Sequence, residues 1–477
     1  PDECIFGPSS SMTVGAIPGM LRTLDPHSNF FSPKAFQALR LDQEGKYFGV
    51  GMMIQLRLSP ANEMAPTVDY PLPASPAMHA GIRPGDVIID VNHQSTAGLS
   101  IDRVANMLKG PQGTVVSLTV SRTGYPKALN FKLTRAAISE KSVDVAFMIR
   151  PGIGYIHVRN FDETTNRELT KTLHKMQSEG LSGLILDLRD NPGGLLEEAV
   201  EVAGHFLQKG QLIVYHYGRS SPERRYYAMT GNHGDDYPIV ILINSDTASA
   251  AEIVTGALQD HDRALVVGQT SFGKGLVQTV FPLSDHAGLA LTTAHYYTPS
   301  GRLIQRNYSD LSLWDYFNHD GGARASAHTE VYYTDGGRKV YGGGGITPDV
   351  KFQTPPLNAF QETLLNHYAF FKFAKQYAAA HKPVPKDFEP DDAVTQEFAA
   401  FLEKQKIPSS AQNIKANQDF INRQIREYVL SNIYGEHEQN QVLAESDPLV
   451  QKAITELPEA AQLVANAKRY MASRGVN

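Results

Sequence analysis

One stretch of the sequence, residues 239–278, constrains the fold more than any other. It opens with five consecutive aliphatic residues at 239–243, a run typical of a strand buried on both faces of a sheet. Ser249 then begins a segment that predicts a short helix ending near Gln259, and a second buried strand follows at 264–267. Strands and helices that alternate in this way predict an α/β fold with a mostly parallel sheet covered by helices.

The same stretch contains residue types suited to nucleophilic catalysis. Ser249 is predicted at the N-terminus of a helix, and Lys274 lies between two glycines one strand further on. Hydrolysis by a serine and a lysine needs a hydroxyl nucleophile, an amine that takes its proton, and free backbone N–H groups that stabilise an oxyanion. The stretch therefore predicts a site for acyl transfer.

Three segments here resemble the active-site region of the C-terminal processing peptidases, also called tail-specific proteases. The segments are TASAAEI at 247–253, ALQD at 257–260 and SFGKGLVQ at 271–278. The resemblance implies that Ser249 is the nucleophile, Lys274 the general base and Gln278 the residue that orients the lysine. The sequence departs from the family pattern at Ala251, where serine is common, and at Ser271, where threonine is usual.

The surroundings of Lys274 suit a neutral amine. A lysine acts as a base only when neutral, so its pKa must fall by roughly three units from about 10.4. Phe272, Leu276 and Val277 supply apolar surroundings that favour this. Strand alternation would place Lys274, Leu276 and Gln278 on one face, which predicts contact between the lysine and the glutamine.

A second glycine-containing motif precedes this stretch. A predicted strand at 184–189 is followed by Asp-Asn-Pro-Gly-Gly at 190–194 and an amphipathic helix. Its D-x-R-x-N-x-G-G pattern is also a landmark of the family. Free N–H groups near a helix N-terminus favour negative charge, so we assign the oxyanion hole to the backbone of Ala250 and of Gly193 or Gly194. The alternative is an ordinary tight turn between a strand and a helix.

Short alternating strands from residue 48 onward indicate a separate module. The segments at 75–77 and 80–88 and a predicted helix at 101–108 resemble a PDZ domain in the arrangement of these proteases. Such a domain binds a peptide as an extra strand and captures its terminal carboxylate in a backbone nest. The resemblance assigns peptide binding to five consecutive residues, Phe48, Gly49, Val50, Gly51 and Met52; glycines let successive N–H groups converge on an anion.

The predicted organisation has four parts: an N-terminal helical segment at 1–47, a PDZ domain at 48–136, a protease core at 137–354 and a helical region at 355–477. The first part contains a predicted helix over 12–24 and a segment, GMLRTLDPHS at 19–28, that looks like the start of the family's sequences. Its apolar face could pack on the core or on a second subunit.

Two later blocks, AHYYTPSGR at 294–302 and GGGITPDV at 343–350, also match the family. Between them, a polar surface excursion is predicted at about 307–340; it contains Trp314, the one tryptophan. Apolar residues recur at helical spacing after 355, which fits either an appendage packed on the core or a dimerisation arm.

Composition limits the partners and the compartment only weakly. The net charge of −6 argues against nucleic acid as the main partner, and the single cysteine, Cys4, excludes an intramolecular disulfide. No apolar run reaches the ~18 residues of a membrane span. The chain begins at Pro1 without an initiator methionine or signal peptide, so we expect a processed or truncated form. The family resemblance implies work outside the cytoplasm, in a periplasm, cell envelope or thylakoid lumen.

The sequence also contains motifs that could indicate two other kinds of enzyme. Residues 268–274 match the first seven positions of a phosphate-binding loop, but the next residue is Gly275 where Ser or Thr is required, and a strand is predicted where a helix should follow. A serine hydrolase with a histidine base would use Asp260, His261 and Asp262, since histidine is the commoner base. A non-catalytic PDZ scaffold on the same fold is the alternative from a different functional class.

The sequence therefore predicts a crotonase/ClpP-like α/β core with an inserted PDZ domain and a C-terminal helical region. The expected function is that of a serine endopeptidase that binds substrate C-terminal tails through its PDZ domain and cleaves without a metal or an organic cofactor. The expected partners are unfolded or tail-exposing proteins, with an adaptor or activator protein and a homodimer as further options.

Overall fold

The computed structural model describes residues 15–58, 64–219, 221–309, 311–318, 330–434 and 436–474. The strands are β1 (Asn29–Phe31), β2 (Lys46–Gly49), β3 (Met52–Leu58), β4 (Met64–Pro71), β5 (Val87–Val91), β6 (Gln94–Ser95), β7 (Val115–Ser121), β8 (Leu129–Thr134), β9 (Ala136–Ser139), β10 (Val143–Arg150), β11 (Ile153–Val158), β12 (Gly183–Asp187), β13 (Leu212–Gly218), β14 (Ser221–Tyr227), β15 (Ile239–Ile243), β16 (Leu265–Gly268), β17 (Leu276–Pro282), β18 (Gly288–Tyr297), β19 (Val331–Tyr333), β20 (Lys339–Tyr341) and β21 (Val350–Lys351). The helices are α1 (Ile17–Leu21), α2 (Pro33–Gln43), α3 (Pro76–His79), α4 (Ile101–Leu108), α5 (Thr165–Ser178), α6 (Leu196–Gly204), α7 (Ala250–Asp260), α8 (Leu313–Asn318), α9 (Ala359–Asn366), α10 (Ala369–Ala380), α11 (Asp392–Lys404), α12 (Ala411–Ala416), α13 (Gln418–Tyr434), α14 (Glu436–Ser446) and α15 (Pro448–Ser473).

The chain divides into two compact units. The first comprises Pro1–Gly45, Lys141–Thr354 and Asp447–Asn477, and the second comprises Lys46–Glu140 and Pro355–Ser446. Helix α15 therefore belongs to the first unit, where it packs against β12, β15 and β16. The predicted helical region at 355–477 is thus shared between the two units.

The main sheet of the first unit has the strand order β10-β11-β12-β15-β16-β21. All neighbours run parallel except β10 and β11, which are antiparallel. Every residue of β12, β15 and β16 is buried, as expected of strands covered on both faces. The prediction of a mostly parallel α/β sheet, with a strand at 239–243, is confirmed.

This topology brings three loops to one edge of the sheet. Because β12, β15 and β16 are adjacent and parallel, the segments that follow their carboxyl ends lie on the same side. These segments contain the Asp-Asn-Pro-Gly-Gly motif, Ser249 and Lys274, respectively. The predicted catalytic parts are therefore placed together by the order of the strands.

A second sheet in the same unit has the order β1-β18-β13-β14, with β17 also paired to β18. Strand β1 pairs with the first part of β18, where Asn29 lies opposite Ala290. This pairing ties the N-terminal segment to the strand that also receives β17, which follows Lys274. Residues far apart in the chain are thus neighbours here.

The predicted helix at 12–24 is wrong in its end point. Helix α1 ends at Leu21, and residues 22–24 form a turn. In this turn, the N–H groups of Thr23 and Leu24 each donate to the carbonyl three residues earlier. Pro26 disfavours helical backbone at Asp25, whose side chain instead accepts the N–H groups of His27 and Ser28. Residues 12–14 lie outside the described part of the chain.

The second unit contains a sheet with the order β3-β4-β5-β7-β8 and a helical region with its own apolar core. The spacing of apolar residues from Phe360 to Phe371 suggests one continuous helix, but the helix is interrupted at Tyr368, where φ is +51°. The break turns Phe370 and Phe373 inward, so both become buried in the helical core. Within the described ranges, no helix is both long and apolar enough to cross a membrane.

Candidate active site

Ser249 lies between β15 and α7 in an unusual backbone conformation. Its φ is +55° and its ψ is −117°, a region that a residue with a side chain adopts only at a cost of about 1–3 kcal/mol. The conformation is held because the N–H of Ser249 donates to a carboxylate oxygen of Glu252 at 2.8 Å. The half-buried serine thus occupies a strained, fixed turn at the start of a helix.

Glu252 joins the serine loop to the lysine loop. Its fully buried carboxylate accepts the backbone N–H groups of Ser249, Gly273 and Lys274 at 2.8, 2.7 and 2.8 Å, and the hydroxyl of Ser271. Burial raises the pKa of Glu252, and these hydrogen bonds oppose the rise. No role was predicted for Glu252 from the sequence, although a glutamate three positions after a serine at a helix start is a known capping pattern.

Lys274 lies in the loop before β17 with most of its side chain enclosed. Burial lowers the pKa of its amine, while the charges of Glu252 and then Asp25 oppose that shift. The buried Tyr296 hydroxyl donates to the backbone carbonyl of Lys274 and lies 3.1 Å from the carbonyl of Ser249. Two side chains, Glu252 and Tyr296, therefore hold the backbones of the serine and the lysine next to each other.

Gln278 lies in β17 and contacts the neighbouring strand β18. Strand β17 begins only at Leu276, so Lys274 lies before the strand, and the predicted contact between Lys274 and Gln278 stays a prediction. The register shift beside Gln278 leaves the extra residue, Thr293, in β18, so the alternation of side chains along β17 itself is kept. The Gln278 amide lies 3.5 Å from the Thr292 hydroxyl of β18, to which it donates.

The glycine motif after β12 lies directly against the serine. A Cβ atom added to Gly193 would be 2.7 Å from the Ser249 Cβ and 2.8 Å from the Ala250 nitrogen. Ala250 is the first residue of α7, so its N–H has no partner within the helix. The N–H of Gly193 donates to the Asn191 side chain at 2.8 Å. Of the two predicted oxyanion donors here, Ala250 is available and Gly193 is engaged.

Gly194, the other candidate, lies against a different part of the chain. A Cβ atom added to it would be 2.0 Å from the Phe161 carbonyl oxygen. Residues on both sides of Gly194 bind Phe161: the Phe161 N–H donates to Gly193, and the Leu195 N–H donates to Phe161. The structure therefore brings Gly193, and not Gly194, into contact with the serine.

The N-terminal turn adds a carboxylate that the sequence analysis did not single out. Asp25 is buried, and the Ser28 hydroxyl donates to it at 2.5 Å. The Thr292 N–H donates to the Ser28 hydroxyl at 3.1 Å, which links the turn to the residue that Gln278 contacts. Burial alone would raise the pKa of Asp25, but hydrogen bonds from Ser28 and His27 lower it, so the group is charged at neutral pH.

His27 lies on the other side of the same turn. Its Nε2 and the Tyr316 hydroxyl are 2.9 Å apart, and its ring packs edge-on against Tyr316 and Phe317. Burial, and after it the charge of Lys274, lower the pKa of His27 to about 4. The imidazole is therefore neutral at physiological pH, and its surroundings include the lysine.

His261, the base of the alternative triad, lies at the wrong end of α7. It follows the last residue of this 11-residue helix, so about 16 Å of helix separates it from Ser249 at 1.5 Å per residue. Its two ring nitrogens lie 2.7 Å from Asp335 and 2.7 Å from the Leu212 carbonyl. His261 therefore has a structural role, and the alternative prediction of a histidine triad is wrong.

The alternative prediction of a phosphate-binding loop is wrong, because the backbone N–H groups of this loop already donate to protein side chains. Gly273 and Lys274 donate to Glu252, and Gly275 donates to the Gln305 side chain at 2.8 Å. A phosphate cradle requires such groups to be free for the ligand. The segment after Gly275 is strand β17, not a helix.

The predicted carboxylate-binding loop of the second unit follows β2. Gly51 has a φ of +71°, and a Cβ atom there would be 2.4 Å from the Ser75 Cβ, so only glycine fits. The carbonyls of Val50 and Gly51 accept the N–H groups of Ala77 and Leu72 at 2.9 and 3.0 Å. Within the described residues, the N–H groups of Val50 and Gly51 form no backbone hydrogen bond. Two donors are thus available where the sequence predicted a nest.

The elements beside this loop have a PDZ-like arrangement. Strand β3, which contains Met52, is at the edge of its sheet, and α4 packs against it. Val104 and Leu108 of α4 share one buried cluster with Val50 and Met52. Phe48 lies in β2 and pairs with Ala137 of β9. An edge strand beside an apolar helix is the geometry that accepts a peptide as an added strand.

Three family models match the chain. The model described as peptidase family S41 matches residues 152–312, which contain Ser249 and Lys274. A PDZ domain model matches residues 67–122, and a model described as the C-terminal helical domain of a probable PDZ-protease matches residues 360–410.

Curated relatives give the same result. A carboxyl-terminal-processing protease of Synechocystis is 40% identical over 298 residues, covering 62% of this chain and 69% of its own length. A carboxy-terminal-processing protease of Bartonella bacilliformis is 39% identical over 294 residues, covering 61% of this chain and 66% of its own length. A solved photosystem II D1 C-terminal processing protease is 30% identical, covering 71% of this chain and 81% of that one, with a TM-score of 0.39. This chain, an α/β protein with a PDZ domain and a C-terminal helical domain, belongs to the peptidase S41 family of carboxyl-terminal-processing proteases, which are peptide hydrolases.

Proposed function

We propose that this protein is a serine endopeptidase that recognises substrate C-terminal tails and cleaves through a Ser–Lys(–Gln) acyl-enzyme mechanism. The observation that carries this proposal is the single buried carboxylate of Glu252, which binds the backbone N–H groups of both Ser249 and Lys274. A serine in a strained turn and a lysine of lowered pKa on adjoining loops are the two parts that such chemistry needs.

In the proposed mechanism, the neutral Nζ of Lys274 takes the proton of the Ser249 hydroxyl as Oγ attacks the carbonyl carbon of the scissile peptide bond. The protonated amine then gives its proton to the leaving nitrogen. Water, activated by the same lysine, hydrolyses the resulting ester. Gln278 would orient the amine through a neutral hydrogen bond, because an acidic partner would raise the lysine pKa. The Gln278 Nε2 donates to Thr292, so the amide oxygen is the atom that would accept a hydrogen bond from the lysine.

The proposed oxyanion hole consists of the Ala250 N–H and the N–H of Gly193 or Gly194. The proximity of Gly193 to Ser249 favours Gly193 as the second donor. Its N–H now donates to Asn191, so a rotation of this peptide unit would complete the hole. Losing one such donor costs roughly 10²–10³ in kcat in serine proteases.

Substrate selection is proposed to occur at the groove between β3 and α4. The free N–H groups near Gly51 suit a terminal carboxylate, and the apolar cluster of Val50, Met52 and Val104 beside them suits an apolar last residue. We therefore expect the PDZ domain to bind apolar C-terminal tails of unfolded or tail-exposing proteins. An adaptor or activator protein and a homodimer remain proposals based on family resemblance.

The finer fold type and the location are also proposals. The parallel sheet with helices at its carboxyl edge supports a crotonase/ClpP-like core. Membership of the family supports work outside the cytoplasm, in a periplasm, cell envelope or thylakoid lumen.

A cleavage assay tests the proposal against a non-catalytic PDZ scaffold. An unfolded reporter with an apolar C-terminal tail would be incubated with the wild type and with Ser249→Ala, Lys274→Ala and His261→Ala. We expect cleavage by the wild type and His261→Ala but not by the other two. A wild type that binds the tail and never cuts would favour the scaffold.

A further inference from the structure

A groove with a volume of about 660 Å³ lies in the first unit between the N-terminal turn and helix α8. Three apolar side chains of α8 line it, and all are exposed: Trp314 at 70%, Phe317 at 47% and Leu313 at 39%. Pro26, His27 and Ser28 form the facing wall. Adjacent exposed apolar side chains of this size are characteristic of a binding surface, since most isolated proteins bury them.

The groove adjoins the loop that carries the general base. Phe317 packs against Phe272, with ring centroids 6.4 Å apart, and Phe272 is two residues from Lys274. The rings of Phe317 and His27 are 5.7 Å apart and nearly perpendicular. The charge of Lys274 also reaches His27, whose pKa it helps to lower. The two walls of the groove therefore meet at the catalytic loop.

The groove is fixed by the residue beneath it. Tyr316 is fully buried; its hydroxyl lies 2.9 Å from His27 Nε2, and the Gln305 amide donates to it at 3.3 Å. Gln305 also accepts the Gly275 N–H at 2.8 Å. The same buried network thus supports the groove and the glycine that follows the lysine. A preformed apolar site loses little entropy when it binds a side chain.

We propose that this groove is a substrate subsite that takes an apolar side chain, aromatic or long aliphatic, next to the scissile bond. The inference rests on the proposed peptidase function and names a substrate class for it. Among the described residues that line the groove, Arg22 is the one with a full charge, because His27 is neutral at physiological pH. The apolar walls therefore favour phenylalanine or leucine over glycine or a charged residue.

The single tryptophan makes occupancy of the groove directly measurable. Trp314 is the one tryptophan of the chain, so intrinsic tryptophan fluorescence reports this groove alone. The cleavage site of a reporter peptide would first be located by mass spectrometry with the wild type. Four peptides with the same apolar tail would then carry Phe, Leu, Gly or Asp beside that site. Bound to Ser249→Ala, which cannot turn over, the Phe and Leu peptides should shift the emission saturably, and the Gly and Asp peptides should not.

Kinetics supply the second readout. Trp314→Ala should raise KM for the Phe and Leu peptides by about tenfold, with kcat little changed, because a large apolar contact is lost in binding. It should leave the Gly peptide unaffected. Tyr333→Ala is the matched control, since Tyr333 is an exposed aromatic residue of the same unit outside this groove. It should alter none of the peptides.

Three results would overturn the inference. If Trp314→Ala slows all four peptides equally, or none of them, the groove does not select the substrate. A preference for Asp over Phe would assign selection to Arg22 instead. If sedimentation shows that Trp314→Ala changes the oligomeric mass and activity follows that mass, the groove is a contact between copies. In each case, the peptidase proposal stands so long as Ser249→Ala is inactive; cleavage by Ser249→Ala at the wild-type rate would overturn both.

Discussion

The backbone N–H of Lys274 donates a 2.8 Å hydrogen bond to the buried carboxylate of Glu252. The same carboxylate accepts the N–H of Ser249, so one side chain that takes no part in bond breaking sets the spacing of the nucleophile and the base. Catalytic geometry is sensitive to displacements of about 1 Å. Activity should therefore depend on Glu252 more than on many residues nearer the surface.

In Glu252→Gln, one carboxylate oxygen is replaced by an NH₂ group that faces backbone donors, which should displace the serine and lysine loops. A displacement of about 1 Å in a catalytic site costs about 100-fold in rate, so we expect kcat to fall by about 100-fold. The unpaired groups should also lower the free energy of unfolding by about 1–3 kcal/mol. Cleavage of the tail reporter and urea unfolding measure the two effects. Glu197→Gln, at an exposed glutamate of α6, is the control and should behave as wild type. An unchanged kcat in Glu252→Gln would refute this role.

The pH profile should respond to Asp25. Activity needs neutral Lys274, so kcat/KM should rise with pH through the lysine pKa, which burial holds below its ordinary value. The charge of Asp25 raises that pKa, and Asp25→Asn removes the charge. The acid limb of the profile should therefore move to lower pH.

Ser28→Ala separates charge from structure in that experiment. It removes the hydroxyl that binds Asp25 and leaves the carboxylate in place. We expect a lower rate with the acid limb near its wild-type position. If Asp25→Asn lowers the rate without moving the limb, Asp25 acts only as part of the turn.

Lys274→Met should be inactive yet at least as stable as the wild type at neutral pH. The folded lysine pKa is lowered, so the unfolded state binds more protons and wild-type stability rises with pH between the folded pKa and the unfolded value of about 10.4. Methionine carries no such cost, so its advantage should shrink as pH rises through that interval. Urea unfolding at several pH values would reveal it; an advantage that grows with pH would contradict the lowered pKa.

Gly193→Ala should abolish cleavage, because the added Cβ would meet the Ser249 Cβ at 2.7 Å and the Ala250 nitrogen at 2.8 Å. Gly210→Ala is the matched control. Its φ of +91° resembles the +99° of Gly193, but a Cβ atom there meets no atom within 4 Å. Both variants should lose about 1 kcal/mol or more of stability from backbone strain, and only Gly193→Ala should lose activity. Equal loss in both would assign the effect to strain alone.

The sequence predicted the sheet well because its signals are local. The aliphatic run at 239–243 and the helix that begins at Ala250 are patterns readable within one element. The position of Ser249 and Lys274 on adjoining loops followed from the parallel order of strands. Their individual roles stay predictions, since geometry alone does not measure proton transfer.

What the sequence missed depends on contacts between distant segments. The contact between Gln278 and Thr292 arises from the pairing of β17 with β18, which leaves no mark in the residues themselves. Asp25 and Tyr296 reach the site from segments far from Ser249 in the chain, so no local spacing could place them there. Glu252 was inside the recognised motif, but its role needed the lysine loop to be folded around it.

Labelling with a fluorophosphonate tests the Ser–Lys site without knowledge of the substrate, because the reagent reacts with an activated serine. The adduct would be located by mass spectrometry in the wild type and in Lys274→Met. We expect a label on Ser249 of the wild type and none on Lys274→Met. A label at another serine, or equal labelling of Ser249 without the lysine, would contradict the Ser–Lys site.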